Sequence, residues 1–207
     1  MRAVVLCVAA FALAACGGEP QPKEKQAPGP AAAQPEAHRL SCEDFANLTP
    51  ELLNQRFGAE NVSEQILPGP EGENYEASVV FADDPARRFE VVWNNTRTAP
   101  AAISIKGEAS AWEGPGRLEM GLPIAEVERI NGRPFKLWGF GWDYGGWASD
   151  WNGGAFDVQQ NCRVRVQFDA ASETAGAMGD SEFTSDNAAV RAATPVVTEF
   201  GLSFSAP

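Results

Sequence analysis

Stretches of the chain that carry an apolar residue at every second position are committed to β-strands with one apolar and one polar side. Tyr75, Ala77, Val79 and Phe81 form one such run, and Phe89, Val91 and Trp93 form the next. Asp83-Asp84-Pro85 lies between them and reads as the turn of a hairpin. Ile103 and Ile105 mark a further strand. Val164, Val166 and Phe168 alternate with Arg163, Arg165 and Gln167, and Val196, Thr198, Phe200, Leu202 and Phe204 close the chain. Strands that are apolar on one side suit an antiparallel sheet with a solvated face.

Helical signals are fewer. Thr49 is placed as a cap and Pro50 at the first helical position, with Leu52, Leu53 and Phe57 as the apolar face and Gly58 as the stop. Residues 122–130 repeat the pattern, with Pro123 at the start, Val127 and Ile130 on one face and Asn131-Gly132 as terminator. A third, short candidate covers 185–193 and ends before Pro195. The expected class is α+β: an antiparallel β-sheet with two or three short helices. Gly58 and Gly132 each precede a run of strands. That reads either as two tandem helix-then-strands units, with halves 41–115 and 116–207, or as coincidence, since the two share few residues.

The amino terminus fixes where such a domain works. Arg2 precedes the apolar run 3–15, which ends in Ala14 and Ala15. A run of about 13 residues is too short to cross a bilayer core, which needs about 20, so residues 1–15 read as a signal peptide that is removed. Leu13-Ala14-Ala15-Cys16 matches the bacterial lipobox. The resemblance implies lipid on Cys16, which becomes the new amino terminus, and Gly17 after it implies sorting to the outer membrane. Several acyl chains at about 0.8 kcal/mol per methylene make anchoring stable. The expected location is therefore the cell envelope, at the periplasmic face of the outer membrane.

Residues 16–40 follow as a tether. They hold Pro20, Pro22, Pro28, Pro30 and Pro35 among Gln, Ala, Glu and Lys, with too little apolar surface for a core. His38 is placed in this tether as a solvated residue. Residues 41–207 are read as one domain.

The chain has 16 basic and 28 acidic residues, a formal charge of −12. Loss of Arg2 with the signal leaves the mature protein near −13. Nucleic acid is excluded as a partner, because binding it needs a basic footprint. Once Cys7 leaves with the signal and Cys16 takes lipid, Cys42 and Cys162 remain, and in an oxidising compartment they are expected to pair. Two cysteines and one histidine cannot supply the usual four zinc ligands, so no metal and no cofactor are expected.

Gly121-Leu122-Pro123-Ile124-Ala125-Glu126-Val127, followed by Ile130-Asn131-Gly132-Arg133-Pro134, is similar to the repeat signature of outer-membrane assembly lipoproteins and of β-lactamase-inhibitor protein. The resemblance covers about 15 residues. It implies helices packed on a curved antiparallel sheet whose concave face grips a partner protein. The whole chain also resembles proteobacterial lipoproteins, which implies no activity.

The most distinctive segment is 135–154. Trp138, Phe140, Trp142 and Tyr144 alternate at period two, followed by Trp147 and Trp151, with glycines interleaved. On one strand those four rings would line a single face, and Asp143 adds a hydrogen-bonding group. Two readings stand. Either the rings form a recognition surface, since hot spots favour Trp and Tyr, or they fill the core. Exposure of Trp142, Tyr144 and Trp147 decides between them.

No catalytic residues are assigned. The domain lacks the histidine or spare cysteine of the usual nucleophile and base pairs, and Asp83 and Asp84 suit a turn better than acid and base chemistry. The expected function is a lipid-anchored module that binds another envelope protein through Trp138, Phe140, Trp142, Asp143, Tyr144, Trp147 and Trp151. The alternative is a carbohydrate or peptidoglycan binder, or a carboxylate-based hydrolase, which calls for coplanar exposed rings beside carboxylates.

Overall fold

The computed structural model describes residues 38–158, 161–170 and 176–205. The signal peptide, Cys16 and the tether up to residue 37 lie outside the described residues. In chain order the elements are β1 (His38–Arg39), α1 (Cys42–Phe45), α2 (Pro50–Phe57), β2 (Val62–Pro68), β3 (Asn74–Val80), β4 (Phe89–Trp93), β5 (Pro100–Lys106) and β6 (Trp112–Glu113). Then come α3 (Ile124–Asn131), β7 (Lys136–Trp138), β8 (Ala148–Asp150), β9 (Cys162–Asp169), β10 (Glu182–Thr184), α4 (Ala188–Ala192) and β11 (Val196–Phe204). The class is α+β, as the alternation predicts.

Six strands form the main sheet in the order β2-β3-β4-β5-β11-β9, and every neighbouring pair is antiparallel. The register assigns its faces. Val91 lies opposite Ser78 and Ile103, Ile103 opposite Leu202, and Leu202 opposite Val164. These residues, with Phe89, Ile105, Phe200 and Val166, point into the core. The other face carries Tyr75, Glu90, Ser104, Lys106, Arg165, Gln167 and Glu199, and it becomes the floor of the candidate site.

The hairpin predicted from Asp83-Asp84-Pro85 forms. Asp84 ties its turn by accepting from the Ala86 amide (3.1 Å) and from Arg87 Nε (2.7 Å). Its register pairs Val79 with Glu90. Tyr75, Ala77 and Val79 therefore lie on the sheet face opposite to that of Phe89, Val91 and Trp93.

The helices cover the core face. In α2, the Thr49 side chain accepts from the Leu52 amide (3.3 Å), Pro50 opens the helix, and Gly58 ends it at φ 85°. Such a cap is worth about 1 kcal/mol. Leu53 is buried, but Leu52 is 45 % exposed and is not part of the apolar face. Helix α3 starts after Pro123 and stops at Gly132, φ 83°, burying Ile124 and Val127. The third predicted helix is α4, shorter than expected because Asn187 caps it. Helix α1, capped by Ser41, is an addition to the expected set. Phe57 and Trp112 each sit 5.0 Å from Phe89 between centroids, closing the core at this end.

One boundary differs from the sequence reading. His38 and Arg39 belong to the fold and not to the tether, since β1 pairs in parallel with β6 and the His38 ring lies 5.3 Å from Trp112. Leu40, 2 % exposed, supplies the apolar anchor for that pairing. The two halves also differ in pairing. The first half contributes the meander β2 to β5, whereas strands of the second are split between the main sheet and a three-stranded sheet, β10-β7-β8. Cys42 and Cys162 are bonded, with Cα atoms 6.0 Å apart and 120 positions between them in sequence. The bond fastens α1 to the start of edge strand β9.

Candidate functional site

The aromatic segment does not run as one strand. β7 stops at Trp138, and Gly141, at φ 81°, turns the chain where an L side chain would be strained. Gly146 then docks the returning loop on the edge of β9. Its φ is 73°, and a Cβ there would sit 1.8 Å from the Phe168 carbonyl oxygen. Trp147 bridges to Gln167, and Gln167 Nε2 donates to the Gly145 carbonyl at 3.0 Å. Residues 139–147 thus curl around the edge of the sheet onto its polar face.

This path divides the predicted rings. Phe140 is 3 % exposed and Trp151 is fully buried, so both leave the recognition surface for the core. Trp151 packs 4.7 Å from Phe135 and 5.0 Å from Phe156, and its Nε1 donates to the Val164 carbonyl at 2.8 Å. Trp142 and Tyr144 are 37 % and 40 % exposed, and Trp138 and Trp147 are half-buried beside them. Trp142 stands edge-on to Trp138, with interplanar angle 89°, and at 64° to Tyr144. The exposed rings therefore form a herringbone and not a flat platform.

Two hollows flank them. One, about 490 Å³, is lined by Trp138, Trp142, Tyr144, Trp147, Arg163 and Arg165. The other, about 530 Å³, shares Tyr144, Trp147 and Arg165 and extends over Tyr75, Lys106 and Glu199 to the tip of the β2–β3 hairpin. Asp143 closes this side, because its carboxylate accepts from the Glu71 backbone amide at 2.7 Å, a link between loops 72 positions apart. The group predicted to contact a ligand thus also holds the two walls together.

The floor is a charged network. Lys106 Nζ lies 3.1 Å from Glu90 and 3.6 Å from Glu199, and donates to the Tyr75 hydroxyl at 3.1 Å. Tyr75 in turn donates to Glu90 at 2.9 Å, and Arg88 pairs with Glu90 at 2.7 Å. Burial opposes the charge on Glu90, but Lys106, Arg88 and Tyr75 together outweigh it and hold the carboxyl below its ordinary value. Burial dominates at Glu199 and pushes that carboxyl up, with Lys106 opposing. Burial also works against the Lys106 charge, but Glu199, Tyr75 and Glu90 raise it above the ordinary lysine value.

The two glutamates consequently give opposite pH dependences. A lowered carboxyl contributes stability above its unfolded value, 4.5, that is lost as pH falls through the folded value. Glu90→Gln should cost about 2 kcal/mol at neutral pH, a deficit that shrinks once pH drops below about 4.5. A raised carboxyl contributes below 4.5 and loses that contribution as pH rises through its folded value. Glu199→Gln should therefore gain on the wild type with rising pH. Urea unfolding at pH 4 to 8 tests both slopes, and parallel profiles for the two variants would contradict this assignment.

No protein family matches the sequence, and neither a curated protein nor a solved structure matches the chain.

Sequence reasoning missed the floor: Tyr75, Glu90, Lys106, Glu199, Arg163 and Arg165. Its one visible signal was Arg163-x-Arg165-x-Gln167 on the polar side of a strand. Among the described residues no three His, Cys, Asp or Glu side chains gather as a metal ion would require.

Proposed function

We propose that the protein is a lipid-tethered binding module of the cell envelope that holds a segment of another envelope protein in the cleft between loop 139–147 and the polar sheet face. The observation that carries this reading is the exposure of Trp142 and Tyr144 over a recessed, hydrogen-bonding floor. Concave sites with aromatic walls and a few fixed polar groups are the usual form of a binding site. The herringbone of rings favours a protein segment over a sugar. It offers slots between rings for side chains, while stacking of sugar faces calls for the coplanar rings that the angles of 89° and 64° do not provide.

Site-specific photo-crosslinking in intact cells tests the proposal. A crosslinker at position 142 or 147 should join one defined protein, while one at Ile66, 71 % exposed on β2, should not. Trp142→Ala combined with Tyr144→Ala should abolish the adduct formed from position 147. Equal adducts from positions 66 and 142 would remove the cleft as the site. A change in tryptophan emission with millimolar muropeptide, without any protein adduct, would favour the carbohydrate reading.

A further inference from the structure

Resting on that reading of the cleft, we infer that its occupant is an extended acidic peptide segment with carboxylates at alternate positions, received by Arg163 and Arg165. Three observations converge on these two residues.

The first is their lack of ionic partners among the described residues. Most arginines among the described residues lie within 4.0 Å of a carboxylate, as Arg88 does with Glu90 and Arg191 with Glu128. Arg163 and Arg165 form no such pair with any described residue. Glu199 is close enough to Arg165, and Asp157 to Arg163, to feel the charge, but neither forms an ion pair with it. Both arginines are half-buried. Partly desolvated cations without counter-charge are costly, and an incoming carboxylate removes that cost.

The second is that both are already held in place. Arg165 stacks on the Trp147 ring, its Cζ 4.4 Å from the centroid, and Arg163 Nη2 donates to the Ser149 carbonyl at 2.6 Å. Stacked or tethered guanidinium groups lose little entropy when they engage a carboxylate through paired N–H donors. Lys106, by contrast, is saturated by Glu90, Glu199 and Tyr75.

The third is spacing. Positions 163 and 165 are alternate residues of β9 on one face, about 7 Å apart along an extended chain. A peptide lying extended along β9 repeats its side chains at the same interval. Acidic residues at i and i+2 then meet the two arginines, and flanking side chains reach the rings of Trp138, Trp142 and Tyr144. The overall charge of −12 repels a long polyanion but leaves this local pair of cations available to a short acidic segment.

Fluorescence anisotropy on the intact mature protein provides the test. The probe is a labelled nine-residue peptide of alternating Glu and Val, compared with the same peptide bearing Gln for Glu. The acidic peptide should bind at least about tenfold more tightly, and added salt should weaken it. Arg163→Gln and Arg165→Gln should each cost about tenfold while leaving the melting temperature within a few degrees of the wild type. Trp142→Ala should weaken both peptides. Equal binding of the two peptides, or arginine variants that bind as the wild type does, would overturn the acidic segment while leaving the cleft standing. So would a crosslinked partner at position 142 with neither peptide bound at millimolar concentration. Displacement of the peptide by an oligomer of uronic acid at lower concentration would reassign the arginines to an acidic glycan. If no peptide binds and position 142 crosslinks to nothing, both readings fail together.

Discussion

Trp151→Ala should lower the stability of the domain by about 3–5 kcal/mol, because it empties the largest fully buried side-chain site in the fold. The loss has two parts. Removal of the indole leaves a cavity among Phe135, Phe156 and the β9 side chains, which are held by backbone and relax only in part. It also strips the Val164 carbonyl of the donor that Nε1 supplies. In a domain of this size the melting temperature should fall by about 10 °C or more. Trp151→Phe, which refills most of the volume without restoring the donor, should lie roughly midway. Trp142→Ala, at a ring 37 % exposed, should stay within about 1 kcal/mol of the wild type. Denaturant unfolding of the three variants measures the contrast. Similar midpoints for the 142 and 151 variants would mean that the two rings do not divide between surface and core.

The second large effect concerns the bond between Cys42 and Cys162. Closing 120 positions of chain restricts the unfolded state strongly, and the chain-entropy relation gives about 4–5 kcal/mol. Cys42→Ser with Cys162→Ser should realise about 2–5 kcal/mol of that. Reduction of the wild type should lower its urea midpoint to about that of the double variant, and the double variant should ignore the reductant. A wild-type midpoint unmoved by reductant would show that the two sulfurs are not joined in the purified protein.

Much of this architecture is written locally. Thr49, Pro50 and Gly58 announce α2, and Pro123 and Gly132 announce α3, because each acts locally: Thr49 caps an amide, the prolines have no N–H to leave unpaired at a helix start, and the glycines adopt the positive φ that ends a helix. The alternation in β9 survives because one side of the strand meets the core along its whole length. In β11 it holds for Phe200 and Leu202, but a bulge between Val197 and Glu199 breaks the period, so that Val197 is buried and Thr198, expected on the apolar face, is exposed. Strands β7, β8 and β10 escaped because three residues are too few to establish a period. Strand β2 escaped because, at the sheet's edge, it buries none of its side chains fully. The period-two rings of 138–144 misled for a backbone reason. Gly141 at positive φ reverses the chain and sends Phe140 and Trp142 to different environments. The floor of the cleft was illegible because Tyr75, Glu90, Lys106 and Glu199 come from four strands, and only the register brings them together.

The disulfide also settles how the domain bears mechanical load. His38 and Arg39 make a short two-residue parallel pairing with β6 that would peel apart under tension. Cys42 follows four positions after His38 and is covalently fixed to the first residue of β9. Tension arriving from the amino-terminal side therefore bypasses α2 and the helical layer and passes into a strand hydrogen-bonded along its length to β11. Antiparallel strands sheared along their axis resist through many bonds at once. A domain fastened in this way resists unravelling when it is pulled from its amino-terminal side.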